Sequence, residues 1–181
     1  PIELVIARGV TVAKDGECLV TCPHYDWPDH ARQTVHLGKQ LSTPDFAIPA
    51  PEGAATVKAK VTGIVENQTP TKALSAVLQV RDGLVQPETE TDIAQVALVE
   101  RHRGTGSVAN GFVSGFGYQG DMAMASTVAH DSHQMIVVGT CRENMALAAN
   151  RLGEVSGGMV IFKDGQEIAL VELPIAGLMS D

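Results

Sequence analysis

Apolar positions in this chain alternate in short runs more often than they recur at helical spacing, and the runs are punctuated by Asp-Gly pairs. Over residues 2–20, Leu4-Val5-Ile6 and Val10-Thr11-Val12 are β-branched runs, and Asp15-Gly16 precedes Leu19-Val20. Asp-Gly accepts the positive φ angles of a two-residue hairpin turn, so this stretch predicts a β-hairpin. Asp82-Gly83 lies between apolar residues 77–80 and 84–85, and Asp164-Gly165 lies between 159–162 and 168–171. These repeated signals predict mainly antiparallel pairing. Residues 57–65, 74–80 and 93–99 read as further strands. Residues 122–130 and 135–139 are apolar runs joined through Asp131, Ser132, His133 and Gln134. The glycine-rich stretch 104–117 predicts a turn and a short helix. One clear helix follows, with a Thr140/Glu143 capping-box spacing, apolar Met145, Ala148, Ala149, Leu152 and Val155, and a stop at Gly157-Gly158.

Between these patterned regions the periodicity lapses. Prolines stand at positions 23, 28, 44, 49 and 51, with polar and His residues between them. Such a stretch predicts an extended connection with a domain boundary near residues 46–53. The expected organisation is a hairpin over 1–21, a connector over 22–53 and a domain over 54–181. The hairpin then belongs to a separate small β-domain. Many strands with few helices define the fold class as α+β, a layered domain with a mainly antiparallel or mixed sheet.

Composition narrows the function. At 44% hydrophobic residues the chain can bury a core, and with one Trp, two Tyr and four Phe that core must be largely aliphatic. The net charge of −8 repels phosphate backbones and anionic lipid, which argues against nucleic acid and membrane surfaces as partners. No apolar stretch reaches transmembrane length, and no signal-peptide pattern opens the sequence. Three cysteines, Cys18, Cys22 and Cys141, are an odd number, which points to a reducing cytoplasm. The start at Pro1 without Met and the stop just after an apolar run predict a piece of a longer protein.

The densest chemistry is His130-Asp131-Ser132-His133, at the junction of two apolar runs where a scaffold can present side chains to a cleft. Two imidazoles flanking a carboxylate could bind a metal, relay protons or hydrogen-bond a heterocycle. Equally, Asp131 and Ser132 could stabilise a turn while the imidazoles satisfy buried backbone groups. Glu100-Arg101-His102-Arg103 ends a strand and leads into Gly104-Thr105-Gly106, a setting suited to an anion or substrate. Gly104-x-Gly106-x-x-Ala109 satisfies a loose dinucleotide pattern, but polar residues separate strand from glycine and no βαβ pattern surrounds it. Cys18, Cys22, His24 and His30 form an incomplete zinc signature, without a second Cys pair. Cys141 reads as helix start or core. The sequence lacks the H-E-x-x-H, P-loop, G-x-S-x-G and nucleobase-deaminase zinc motifs.

The motifs Glu100-Arg-His-Arg-Gly-Thr-Gly106, Gly111-Phe-Val-Ser-Gly-Phe-Gly117, Ser126-Thr-Val-Ala-His-Asp-Ser-His133, Ile136-Val-Val-Gly-Thr140, Met145-Ala-Leu-Ala-Ala-Asn-Arg-Leu152 and Leu173-Pro-Ile-Ala-Gly-Leu-Met-Ser-Asp181 resemble the C-terminal region of adenine deaminases in the amidohydrolase superfamily. Residues 1–20 resemble strands of the small β-domain flanking the barrel of those enzymes, and 34–51 resemble the connection. The resemblance implies hydrolysis of adenine to hypoxanthine and ammonia by water activated at a dinuclear manganese or iron centre. That centre belongs to an N-terminal barrel with no counterpart in this sequence, so no metal is expected on this chain and the chain alone is expected to be inactive. Gln134 departs from the family, which carries Asn there. The resemblance implies that His130, Asp131, Ser132 and His133, with Glu100 and His102 nearby, help close or line the adenine site of that barrel. The partners expected are the barrel, adenine and further copies of the enzyme in a homo-oligomer. The alternative is an interaction or oligomerisation domain whose His-Asp-Ser-His turn is purely structural.

Overall fold

The structure is a computed structural model that describes residues 2–21 and 25–180. Its strands are β1 (Leu4–Ala7), β2 (Val10–Lys14), β3 (Glu17–Cys18), β4 (Thr56–Gly63), β5 (Lys72–Arg81), β6 (Leu84–Val85), β7 (Ile93–Val99), β8 (Val108–Ser114), β9 (Met122–Ser126), β10 (Met135–Gly139), β11 (Gly158–Lys163) and β12 (Gln166–Glu172). A single α-helix, α1 (Arg142–Glu154), stands among the described residues. The first three strands form their own antiparallel sheet, and the others form one sheet in the order β12-β11-β9-β10-β7-β8-β4-β5-β6. The pairing is antiparallel except between β4 and β8, which run parallel. This is an α+β architecture.

All three Asp-Gly pairs turn the chain with positive φ, at 51° and 88°, 51° and 73°, and 50° and 77°. Residues 2–20 are a three-stranded meander and not one hairpin, because Arg8-Gly9 makes a further turn at φ 48° and 78°. The helix predicted within 104–117 is instead β8, whose alternating residues pair along the whole of β7. Its glycines hide this from a one-strand reading, since long-range pairing supplies the order that local propensity lacks.

Alternate residues of β9, β10 and β11 (Ala123, Ala125, Met135, Val137, Val160 and Phe162) pack against Met145, Ala148, Ala149 and Leu152 of α1. The helix therefore follows its 3.6-residue apolar period, but its cap differs from the expected one. Cys141 is the N-cap, without a side-chain cap bond. The Thr140 hydroxyl instead donates to the Gly120 carbonyl at 2.6 Å and accepts from the Met122 N–H at 3.1 Å, tying α1 to the start of β9.

The Pro-rich connector is more than an extended link. Its Leu41 and Phe46 are buried in the main core, with Val35 and Leu37 packed beside them. A Ser42/Asp45 capping box with Pro44 turns Thr43–Phe46 into a short 3-10 helix that aims Phe46 inward. Cys22 and His24 of the weighed zinc set lie outside the described residues, while Cys18 is a free, exposed thiol. No helix among the described residues is long and apolar enough to cross a membrane.

Candidate functional site

The end of β7 and the β9–β10 connection meet at one edge of the large sheet. After Val99 the loop 100–107 is closed by the Glu100 N–H donating to the Ser107 carbonyl at 3.0 Å. The Glu100 carboxylate fills this loop. One oxygen accepts from the N–H groups of His102 and Arg103 at 2.6 and 2.8 Å, and the other from the N–H and hydroxyl of Thr105, both at 3.1 Å. Partial desolvation pushes its pKa upward, yet the donors from Thr105, Arg103 and His102 outweigh that and hold it at about 2, against an ordinary 4.5. A carboxylate so engaged is a loop organiser and a poor proton acceptor near neutral pH. The loop's stability contribution from Glu100 is complete above about pH 4.5 and is lost as pH falls towards 2. Amide signals of His102, Arg103 and Thr105 followed by NMR should move over that acid range, and those of a Glu100→Gln variant should not.

Across from this loop, His133 takes a positive φ of 50° and its N–H donates to the Ala129 carbonyl at 2.6 Å. The Gln134 N–H donates to the Ser132 hydroxyl at 3.3 Å, and a His102 ring nitrogen lies 3.2 Å from the Ser132 carbonyl. Glu100, His102 and Gln134 thus share the wall of an open depression of about 770 Å³ with Arg103, Thr105 and Ser107. His130 and Asp131 pair with each other on the exposed tip of the turn, away from that wall. The His133 ring meets His130 edge-on at 6.0 Å, and its Nδ1 is buried without a hydrogen-bond partner.

What holds the two loops together is Arg101. This side chain is 1% exposed. Its Nε donates to the His133 carbonyl at 2.6 Å, and its two terminal nitrogens donate to the carbonyls of Thr34 and Ala176, each at 3.2 Å. Its backbone N–H donates to the Gln134 side-chain oxygen at 3.0 Å, and its carbonyl accepts from the His36 N–H at 2.8 Å. Burial lowers the guanidinium pKa from its ordinary value. Gly177 lies flat against it, where a Cβ would come within 2.9 Å of the guanidinium. Reading residues in sequence singles out the ionisable neighbours Glu100 and His102 but misses Arg101 and Gln134 as the joints. Arg101's partners are 67, 32 and 75 residues away, so no local pattern announces them.

Among the described residues, no group of three His, Cys, Asp or Glu is placed to hold a metal ion. His130, Asp131 and His133 therefore do not converge as ligands. Cys141 donates to the Glu143 carboxylate at 3.1 Å, and burial raises its thiol pKa.

Fold and site together define an α+β domain that carries a polar rim on two loops braced from within. The chain belongs to the adenine deaminase C-terminal domain family, which matches residues 68–181. It is 71% identical over 182 residues to an adenine deaminase of Ruegeria pomeroyi, covering 100% of this chain and 30% of that protein. It is also 71% identical over 181 residues to an adenine deaminase of Roseobacter denitrificans, with the same coverage. The chain thus spans about 30% of the length of the curated relatives it matches.

Proposed function

We propose that this chain is the C-terminal part of an adenine deaminase, which hydrolyses adenine to hypoxanthine and ammonia, and that its two braced loops close or line the purine site. The observation that carries the reading is the family match over 68–181, a range that contains both loops. In this reading water is activated at a dinuclear manganese or iron centre in an N-terminal barrel. In this reading the ligands of that centre belong to the barrel, and the part assigned to this chain lies outside the metal chemistry. Its part is recognition and exclusion of water. His133, His102 and Gln134 offer donors and acceptors suited to the ring nitrogens of a neutral base, while Glu100 and Arg101 hold those groups in place.

The domain organisation follows the same reading. Residues 1–21 are assigned to a flanking β-domain, 22–53 to the connection and 54–181 to the C-terminal domain. In support, Ile6 and Val10 are each more than half exposed, as expected of strands whose core partners lie elsewhere in the polypeptide. A cytoplasmic homo-oligomer completes the proposal, and the free thiols of Cys18 and Cys141 suit a reducing compartment.

Replacing His133 by Ala in the full-length enzyme is expected to lower kcat/KM by about tenfold or more, with the thermal midpoint little changed. The 181 residues alone are expected to form no hypoxanthine in the same assay and to bind no stoichiometric metal. One observation favours a second reading, an interaction domain with a structural turn: Arg101 and Glu100 spend their polar groups inside the loops. Unchanged kinetics of His133→Ala would select that reading over the first.

A further inference from the structure

The large sheet carries its helix on one face. Because β-strand side chains alternate between faces, the residues of β7 and β9–β12 that do not meet α1 point the other way. By register Val171, Met159, Ser126, Ile136 and Leu98 form one row across β12, β11, β9, β10 and β7, with Ile161 and Met124 in the next row of the same face. Val171 is 56% exposed, and Met159 and Leu98 are each 42% exposed. Phe116, Tyr118, Val96 and Ile136 pack over Ala94, Val113 and Val138 on this face, which leaves Val171, Met159 and Leu98 bare. The charged residues at the outward strand positions of β4, β5 and β11 are Lys58, Lys60, Arg81 and Lys163, all basic in a chain of net charge −8.

The area of the whole chain points the same way. Its accessible surface is 11218 Å², whereas a self-contained monomer of 19.1 kDa exposes about 8,400 Å². The excess of roughly 2,800 Å² marks a chain that leaves surface uncovered, the exposed strands β1–β3 included.

We infer that this bare face is a docking surface for the rest of the same polypeptide, through an apolar patch flanked by carboxylates. The matched relatives carry more than twice this chain's length besides it, tethered at high effective concentration. A second copy docked face to face would oppose basic residues to basic residues, with no carboxylate at the outward strand positions to relieve them. The inference rests on the chain being part of a longer polypeptide and goes beyond the proposed role of the loops.

The test is thiol labelling of the full-length protein bearing Met159→Cys or Leu98→Cys, read by peptide mass so that native thiols do not interfere. Leu147→Cys, on the outward side of α1 and 41% exposed, is the reference. The positions on the face should label about tenfold or more slower than position 147, independently of protein concentration. Equal rates would overturn the inference, and so would protection that disappears on dilution, which would assign the face to a second copy. Labelling reads burial alone, so a failure of the deaminase reading, seen as no hypoxanthine formed, is a separate result.

Discussion

Replacing Arg101 by Met is expected to lower the stability of this domain by about 3–5 kcal/mol, because it strands several buried acceptors at once. The carbonyls of His133, Thr34 and Ala176 each lose a donor, while the Ala176 N–H still donates to the Ala31 carbonyl. For a domain of this size that corresponds to a fall in Tm of roughly 6–20 °C. Arg101→Lys keeps the charge but replaces a planar fork by a single ammonium, so it should recover part of the loss and not all of it. Chemical denaturation of the wild type and the two variants measures this order directly. Under the proposed function, kcat/KM for adenine in the full-length protein should fall further in Arg101→Met than in His133→Ala, since both loops then lose their brace. Wild-type stability in Arg101→Met would mean that the brace contributes nothing.

The second large effect is expected at Gly38. It sits at φ 76°, and a Cβ there would lie 2.1 Å from the Gly104 carbonyl oxygen and 2.5 Å from its carbon. Neither obstacle is the end of a flexible side chain, so the connector or the 100–107 loop must move. Gly38→Ala should cost about 2–4 kcal/mol. Gly117→Ala is the control for conformation without collision. Its φ is 65° with nothing within 4 Å, so its cost should be close to 1 kcal/mol. A thermal melt of both variants separates strain from overlap. If Gly38→Ala melts with Gly117→Ala, the contact between connector and loop is looser than described. Displacement of the connector also predicts altered His102 and Thr105 amide signals in Gly38→Ala and not in Gly117→Ala.

Legibility from sequence follows the range of the forces involved. The Asp-Gly turns were readable because a turn is decided by a few adjacent φ angles, and the body of α1 because its apolar period is internal to it. The cap of α1 departs from its local spacing because Thr140 finds long-range partners in Gly120 and Met122. β8 does not announce itself as a strand because its order comes from β7 and β4, not from its own residues. Phe46 stands in a stretch with the composition of a linker, although the Ser42-Thr-Pro-Asp45 spacing is a local signal for the short helix that buries it. At the site, sequence proximity grouped His130 to His133, while the structure sets His130 and Asp131 on the tip and brings Gln134 towards Glu100 and His102. The family resemblance rested on whole motifs, which carry such long-range constraints implicitly, and the family match over 68–181 agrees with it.

The strand order also says how the domain can be assembled. The large sheet is built from local hairpins, β4–β5–β6, β7–β8, β9–β10 and β11–β12, each closing a short loop. Three non-local joins link them: β4 with β8, β7 with β10, and β9 with β11. Hairpins form in microseconds, whereas joins that close long loops are slower and leave strand edges open meanwhile. On a growing chain the β9 edge must wait for β11, with all of α1 emerging in between. Until then β9 is paired with β10 alone and its other edge stays open, which makes this an interval in which the nascent protein is exposed to mispairing and to chaperone capture.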